Sequence, residues 1–440
     1  MESRDPSWSG ALAELLLVTC VVVPFVFTRR LDAVFAAPKL VVLWAVLVLS
    51  LVLVAGGVLL SSQRPSGARA IASVDIAVAA FLVLNVAAWI SSSDRDQSLY
   101  GERLEYQGLL TILLYIGLFY VARLASSTGH RLRQLFWAVA IGASFVSGYA
   151  LVQKAGLDPV WDGYLPEGRV FSSIGQANAL AAYLVLAIPV TVALLVHGRL
   201  PLRAVSSLAV VTMTAALVLT LSRGGYLGLI AASLVLVAGL RGRLRPHARR
   251  LAQIGAACLA AVIGVVVLIG ATDAAFTQPV RRPFSIGDAS VRFHVDAWHV
   301  AIRIAAEHPL LGTGQETFPD VFPRYSHDVL PTERAAALDA FRVESPHNVY
   351  LGIAAGAGIP ALIAYVGLLA AFVLTVVRAA RTADPHMYVA LVAVLAATAG
   401  HLVTDAFMTA DVTSTSLFWI LMGATLGFVS ARTSVSADKA

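Results

Sequence analysis

Charged residues are scarce in this chain. Of its 440 residues only 13% are Asp, Glu, Lys or Arg, whereas 58% are hydrophobic, and the mean hydropathy is +0.79. Soluble globular proteins have about 25% charged and roughly 45–50% apolar residues, so this composition excludes that class. It predicts a protein that crosses a lipid bilayer several times. In such a protein the net charge of +6 reports topology and gives no reason to expect nucleic-acid binding.

Cysteines and catalytic signature motifs are also few. The two cysteines, Cys20 and Cys258, fall inside apolar runs, which indicates small buried side chains and neither a disulfide nor a zinc site. The chain contains no HExxH, no GxSxG and no Walker motif. Four acids share one short segment, without a spacing specific for a metal: Asp94, Asp96, Glu102 and Glu105. We therefore expect no metal, no cofactor and a substrate that is already activated.

Long apolar runs are abundant. A transmembrane helix needs about 20 apolar residues, and an alternating barrel pattern is missing, so the runs are interpreted as helices. Twelve are predicted, near 11–28, 38–60, 73–91, 107–124, 132–153, 174–197, 203–221, 224–240, 250–271, 359–378, 386–407 and 413–431. The first has no small-x-small cleavage site and is interpreted as a span. The predicted fold is an all-α polytopic membrane protein that forms a single integral membrane domain over 1–440.

The distribution of Lys and Arg predicts the topology. These residues are more frequent in the segments that are cytoplasmic when both termini lie inside than in the short outer loops. The long hydrophilic stretch 272–346, between spans 9 and 10, is then extracytoplasmic. Within it, residues 290–307 predict an amphipathic helix along the membrane surface or over a cavity. Its expected apolar stripe is Val291, Val295, Trp298, Ile302 and Ala305.

Three residues near this face are the candidates for chemistry. Arg223 lies where one span ends and the next begins, after Ser222, which is expected to cap the new helix and form an anion site with it. Arg292 is expected near the start of the amphipathic helix. His347 follows a proline where the loop re-enters the membrane, and a neutral imidazole there is suited to accept a proton. The plainer interpretations are a snorkelling arginine, an Arg292–Asp296 ion pair and a capping histidine.

The segment after His347 is too short to span the membrane. About nine residues follow before Gly356–Pro360, which predicts a broken half-helix that lines a cavity. The remaining candidates for substrate binding are polar residues at predicted outer positions: Arg169, Gln176, Asn178, Ser222, Arg342 and Asn348. Capping of a helix by Asn178 is the simpler alternative.

These pieces together resemble the O-antigen ligase/polymerase superfamily of bacterial membrane glycosyltransferases. The resemblance rests on SIGQAN at 173–178, LTLSRGGYLG at 219–228, SVRFHVDAW and EHPLLGTGQETF between 290 and 318, and SPHNVYLGIAAGAGIP at 345–360. With their separations and the predicted spans, it covers nearly the whole chain. Two departures are present. Gly356 stands where members often have Glu, and Gln176-Ala177-Asn178 stands where Gln-Pro-Asn is common.

The resemblance implies transfer of a glycan from undecaprenyl diphosphate to an acceptor hydroxyl at the extracytoplasmic face of a bacterial inner membrane. It implies that Arg223 and Arg292 bind the diphosphate, that His347 is the general base, and that Asn348 orients the acceptor hydroxyl. The expected partners are the lipid-linked donor, a glycan, lipid or protein acceptor and the bilayer. A ligase acting on lipid A core is preferred over a repeat-unit polymerase and a protein O-oligosaccharyltransferase. A transporter of a lipid-linked or anionic solute is the alternative of another class.

Overall fold

The structure, a computed structural model, describes residues 7–60, 71–197, 200–241, 289–339 and 342–437, and in these ranges helices are the regular secondary structure, without strands. The first nine helices are α1 Ser7–Val22, α2 Ala36–Leu60, α3 Ala72–Ile90, α4 Arg95–Tyr100, α5 Leu109–Ala125, α6 Gly129–Lys154, α7 Ala177–His197, α8 Leu200–Leu219 and α9 Arg223–Arg241. Three shorter or amphipathic helices follow: α10 Ala289–Glu307, α11 Phe318–Val329 and α12 Thr332–Asp339. The last four are α13 Val349–Ala357, α14 Ile359–Arg381, α15 Pro385–Asp405 and α16 Val412–Ala437.

Within these ranges, ten helices are long and apolar enough to cross a membrane, and they correspond to ten of the twelve predicted spans. The predicted span at 107–124 is α5, an apolar helix of 17 residues. The predicted span at 250–271 lies outside the described residues. The all-helical, polytopic architecture is therefore confirmed, whereas the count of twelve spans and the loop 272–346 as a whole stay predictions.

The spans differ in how deeply they are buried. In α7 and α16, 94% of the most apolar window is buried inside the protein, whereas in α2 and α3 the share is 28%. The outer helices instead expose large apolar side chains such as Val41 and Leu59. Since exposed apolar side chains are favourable in hydrocarbon but not in water, this pattern fits a bundle surrounded by lipid. The bundle centre is formed by α7 and α16, with α15 packed between α7 and α9.

The predicted half-helix is confirmed. Helix α13 has nine residues and ends at Ala357. The next residue, Gly358, has a φ of +87°, which is readily adopted only by glycine. A neighbouring loop supplies partners for the free carbonyls at this helix end: the N–H groups of Thr313 and Gly314 donate to the carbonyls of Ala355 and Gly356 at 3.0 and 2.9 Å. The break is thus buried against protein, which is the condition for irregular backbone at membrane depth.

The predicted amphipathic helix is also present as α10, but the face that it buries in the protein shares only Ala305 with the predicted apolar stripe. The residues buried at 1% exposure or less are Ala297, Val300, Ala301 and Ile304, whereas Val295 and Ile302 are exposed. The reason is that the small alanines, which carry little weight in a hydrophobic pattern, allow α10 to pack closely on α13 and α11. Asp296, expected on the polar side, is buried.

Candidate functional site

Helix α9 begins at Arg223 and is capped as the sequence predicts. The Ser222 hydroxyl accepts a hydrogen bond from the Gly225 N–H at 3.2 Å, and the Ser222 carbonyl accepts from the Tyr226 N–H at 3.0 Å. Arg223 is therefore the first helical residue, one position earlier than expected, and it is partly exposed. A guanidinium at this position adds to the positive end of the helix dipole.

The two glycines that follow Arg223 are required by helix packing. A Cβ atom on Gly225 would lie 2.6 Å from the Ala181 Cβ of α7, and one on Gly224 would lie 3.0 Å from the Phe407 Cβ. Such glycines could admit a ligand, but here protein atoms fill the space beside them. Their role is to hold the start of α9 against α7 and the segment after α15.

Arg292 lies in the first turn of α10 and is exposed. The expected ion pair with Asp296 is not formed. Asp296 is 4% exposed and accepts from the Arg334 guanidinium of α12 at 2.9 and 3.3 Å. Because that carboxylate is already paired, Arg292 has no carboxylate partner among the residues that the structure describes. Its charge is therefore available to an anionic ligand.

His347 lies on a tight turn between Pro346 and α13. Its φ is +48°, in the left-handed region, and its N–H donates to the Ser345 hydroxyl at 3.2 Å. The imidazole packs against α10, with ring centroids 5.2 Å from His294 and 5.6 Å from Phe293, the two residues after Arg292. Burial, with a smaller contribution from His294, lowers the pKa of His347 to about 4. The ring is thus neutral at physiological pH, as a general base must be.

Both the oxygen and the nitrogen of the Asn348 side-chain amide form hydrogen bonds. Its Oδ1 accepts from the Leu351 N–H at 3.0 Å and caps α13, and its Nδ2 donates to the Ala406 carbonyl at 3.0 Å. The Ser345 hydroxyl lies 3.2 Å from the Thr409 hydroxyl. These contacts fix the 345–349 turn against the chain that follows α15. Asn348 therefore helps to hold the turn that carries His347.

The carboxyl end of α15 joins the three candidate segments. The Thr404 hydroxyl lies 3.5 Å from the Gly224 carbonyl of α9, and the Phe407 ring lies 6.0 Å from Trp298 of α10. The Ala406 carbonyl binds Asn348, beside His347. Segments far apart in sequence thus meet around 404–407. The sequence patterns did not reveal this role, because residues 404–407 include no charged or catalytic motif of their own beyond Asp405.

Arg169 and Asn178 bind each other. The Arg169 Nη2 donates to the Asn178 Oδ1 at 2.6 Å, and the Arg169 Nε donates to the Thr220 carbonyl at 2.8 Å. The pair ties the loop before α7 to the end of α8, two residues before Ser222. It therefore supports the start of α9. Gln176, by contrast, is exposed, and it lines a cavity.

That cavity also contains a buried cation that sequence reasoning missed. Lys39, in the first turn of α2, is 1% exposed, and its Nζ donates to the carbonyls of Ser173 and Ile174 at 2.9 and 3.3 Å. The only signal in the sequence is a lone lysine at the start of an apolar run. Its hydrogen bonds hold the 173–176 loop and thereby place Gln176 on the cavity wall.

Arg342 lies apart from these contacts. Its guanidinium is exposed and lies 3.4 Å from the Glu102 carboxylate and 3.2 Å from that of Asp320. Glu102 and Glu105 come from the acidic segment noted in the sequence, and Asp94 of that segment caps α4. Among the residues in the described ranges, no three His, Cys, Asp or Glu side chains are grouped as metal ligands would be.

A second cavity adjoins the 345–349 turn. Ser345, Pro346 and Asn348 form part of its wall, together with the acids Glu316 and Glu344. Burial raises the pKa of Glu316 to about 7, the charges of Glu102 and Glu344 add to the increase, and a backbone hydrogen bond from Glu102 opposes it. Burial, with the charge of Glu316, also raises the pKa of Glu105 well above its usual value.

Comparison with known protein families decides the assignment. Residues 208–366 match the family model described as O-antigen ligase. This segment belongs to the O-antigen ligase superfamily. It runs from α8 to α14 and includes Arg223, Arg292 and His347. No curated protein matches the chain. The predicted resemblance is thereby confirmed, and with the apolar helices the O-antigen ligase segment supports a multi-pass membrane protein that resembles glycosyltransferases in function.

Proposed function

We propose that the protein transfers a glycan from undecaprenyl diphosphate to an acceptor hydroxyl, by an inverting and metal-independent reaction at the extracytoplasmic face of the bacterial inner membrane. The observation that carries the proposal is the meeting of α9, α10 and the His347 turn around residues 404–407. The two guanidiniums of Arg223 and Arg292 and the neutral imidazole of His347 are proposed to border one region, and the O-antigen ligase family match over 208–366 supports this. That combination suits a diphosphate leaving group and a hydroxyl nucleophile.

Arg223 and Arg292 are proposed to bind the diphosphate. During transfer the bond between the sugar C1 and the diphosphate oxygen breaks, and the electron pair leaves with the phosphate. Guanidiniums stabilise this growing negative charge, and each sits at the start of a helix, where the dipole adds to the effect. An arginine also offers two parallel donors that match phosphate oxygens.

His347 is proposed to accept the proton of the acceptor hydroxyl as its oxygen attacks C1 from the face opposite the leaving group. Its low pKa supports the neutral form that this step needs. Arg169, Asn178, Ser222 and Asn348 are proposed to act by positioning, because their hydrogen bonds hold the arginine and histidine segments. Gln176 and Arg342, which are exposed, stay candidates for direct contact with glycan.

The preferred acceptor is a lipid A core sugar, which makes the protein a ligase. A growing glycan would make it a polymerase, and a Ser or Thr hydroxyl would make it a protein O-oligosaccharyltransferase. All three acceptors share the same donor and the same three residues, so the acceptor is decided by offering each to the purified protein with one lipid-linked donor.

The test is glycan transfer by purified protein in detergent. Arg223→Ala and His347→Ala should each lower the rate about 10²–10³-fold, as loss of a transition-state donor does in other enzymes. Matched controls are Arg241→Ala, at the other end of α9, and His299→Ala, an exposed residue of α10. Full transfer by either active-site variant would refute the assignment. Absence of wild-type transfer in detergent, with transport dependent on a membrane gradient, would favour the transporter.

A further inference from the structure

The cavity that adjoins the 345–349 turn lies next to the residues that flank His347. Pro346 and Asn348 line it, whereas the His347 ring packs against α10. The floor is formed by α13 at small residues, including Gly352 and Gly356. Aromatic side chains from the spans complete the wall: Phe81, Tyr115, Tyr365 and Trp419. Apolar walls with a few convergent polar groups are typical of small-molecule sites.

One polar group in this wall lacks a partner. Gln315 is 7% exposed, and its Nε2 donates to the Asn85 carbonyl and to the Asn85 Oδ1 at 2.8 and 2.9 Å. Its Oε1 is buried and accepts no hydrogen bond from any residue that the structure describes. A buried acceptor without a donor is unfavourable. A ligand that brings a hydroxyl into the cavity would satisfy it.

Two carboxyl groups in this wall also accept hydrogen bonds. The side chains of Glu316 and Glu344 line the same cavity. The negative charges of Glu102 and Glu344 raise the pKa of Glu316, and the charge of Glu316 in turn raises the pKa of Glu105. Gln315 and Glu316 are held in place, since the Ser98 hydroxyl donates to the Gln315 carbonyl at 3.0 Å and the Gln97 amide donates to the Glu316 carbonyl at 2.6 Å. The cavity therefore favours a donor-rich ligand and disfavours a phosphate.

We propose that this cavity binds a neutral, hydroxyl-rich sugar ring through Gln315, Glu316 and Glu344. The further step rests on the proposed function: the ring belongs to the acceptor, and the cavity holds it beside the turn that carries His347. The acceptor is then a saccharide whose bound ring carries no phosphate, and not a Ser or Thr side chain of a protein. Aromatic walls suit the apolar faces of a sugar ring, while the carboxyl groups and the amide oxygen accept from its hydroxyls.

Three substitutions test the site with little change in shape: Glu316→Gln, Glu344→Gln and Gln315→Met. Glu333→Gln is the control, because Glu333 is exposed on α12. In the transfer assay, Glu316→Gln should raise the acceptor KM about 10- to 100-fold, the worth of a hydrogen bond to a charged group, with the donor KM unchanged. Gln315→Met should raise it less. An unchanged acceptor KM in all three variants would overturn the proposal.

A binding measurement separates this proposal from the proposed function. Saturation-transfer NMR is recorded on the purified protein with a neutral hexose trisaccharide, and with the same trisaccharide carrying one phosphate monoester. The neutral probe should bind the wild type and the Glu333→Gln control, and bind Glu316→Gln at least tenfold more weakly. Tighter binding of the phosphorylated probe, equal binding to all variants, or no binding of either probe would overturn the site. If binding holds while wild-type transfer is absent, the proposed function alone fails.

Discussion

The two sides of the 345–349 turn differ in charge. On one side the His347 ring packs against α10, the helix that carries Arg292, and α9 with Arg223 approaches through Phe407. On the other side the cavity is lined by Glu316 and Glu344. A cationic region suits a diphosphate, and an acidic one suits neutral hydroxyls. The comparison supports the proposal that a diphosphate donor and a sugar acceptor approach His347 from surroundings of opposite charge.

The largest effect should come from reversing the charge on the cationic side. Arg292→Glu places an anion where the diphosphate is proposed to bind, so it removes a favourable contact and adds repulsion. Transfer should fall by more than about 10³-fold, beyond the loss from Arg292→Ala.

Arg303→Glu is the matched control, since Arg303 is exposed on the same helix and pairs with Glu307. The measurement is the initial rate of glycan transfer by both variants at saturating acceptor. Equal rates for Arg292→Glu and Arg303→Glu would remove Arg292 from the diphosphate site.

The next effect concerns pH. The neutral imidazole is the proposed base, and the lowered pKa of about 4 keeps His347 neutral as pH falls from 7 to 5. Activity should be lost only as pH falls through about 4. If the base had the ordinary imidazole pKa of about 6.5, activity would instead fall roughly thirtyfold by pH 5.

The measurement is kcat with acceptor at saturation, so that binding effects are excluded. His294→Ala removes the nearby ring that contributes to the low pKa and should move the acid limb upward. His299→Ala should leave it in place. A loss of kcat centred near pH 6.5 in the wild type would contradict the proposal that a buried, neutral His347 is the base.

A smaller effect is expected on the acidic side. With its pKa of about 7, Glu316 is mostly protonated at pH 6 and mostly ionised at pH 8. The groups that face it are Glu102, whose backbone also hydrogen-bonds to it, and Glu344. Since an ionised carboxylate accepts hydroxyl hydrogen bonds more strongly, the acceptor KM should fall as pH rises through 7, by about tenfold.

In Glu316→Gln the acceptor KM should not depend on pH over this range, and in Glu333→Gln it should follow the wild type. A KM that rises with pH in the wild type would mean that the protonated carboxyl is the form that binds sugar. The donor KM, measured in parallel, serves as the internal reference.

The smallest effect tests the turn itself. Asn348→Ala removes the cap of α13 and the bond to the Ala406 carbonyl, so it should destabilise the local structure by about 1 kcal/mol. Asn348→Asp retains the capping oxygen but loses the Nδ2 donor, so its local stability should lie between that of the wild type and that of Asn348→Ala. Hydrogen exchange of the α13 amides provides the measurement. Equal protection in all three proteins would show that the turn does not depend on Asn348.

Much of the fold could be predicted because the signals are local. Ten of the predicted spans are found as apolar helices of sufficient length, and the cap of α9 by Ser222 follows from a serine before a helix. The nine-residue α13 was predicted from the distance between His347 and Gly358. The buried face of α10 was not, because Ala297 and Ala301 gain their importance from close packing with α13.

Of the residues in the candidate site, the sequence predicted mainly those with charged or titratable side chains. Arg223 and His347 are conspicuous in an apolar chain with few ionisable groups. Lys39 and Gln315 are not, since their roles depend on carbonyls and a cavity contributed by distant segments. The contact of Asn348 with substrate stays a prediction, whereas its hydrogen bond to the Ala406 carbonyl is a tertiary contact that the sequence did not reveal.

The sequence by itself determined the helical, membrane-spanning character of the protein and its O-antigen ligase segment, because hydrophobic run length and short motifs are written in consecutive residues. Only the tertiary structure decided that three segments meet around residues 404–407 and that a cavity lined by Glu316 and Glu344 adjoins the 345–349 turn. The physical reason is that such meetings depend on which helix faces pack together, and packing is fixed by contacts between residues far apart in the chain.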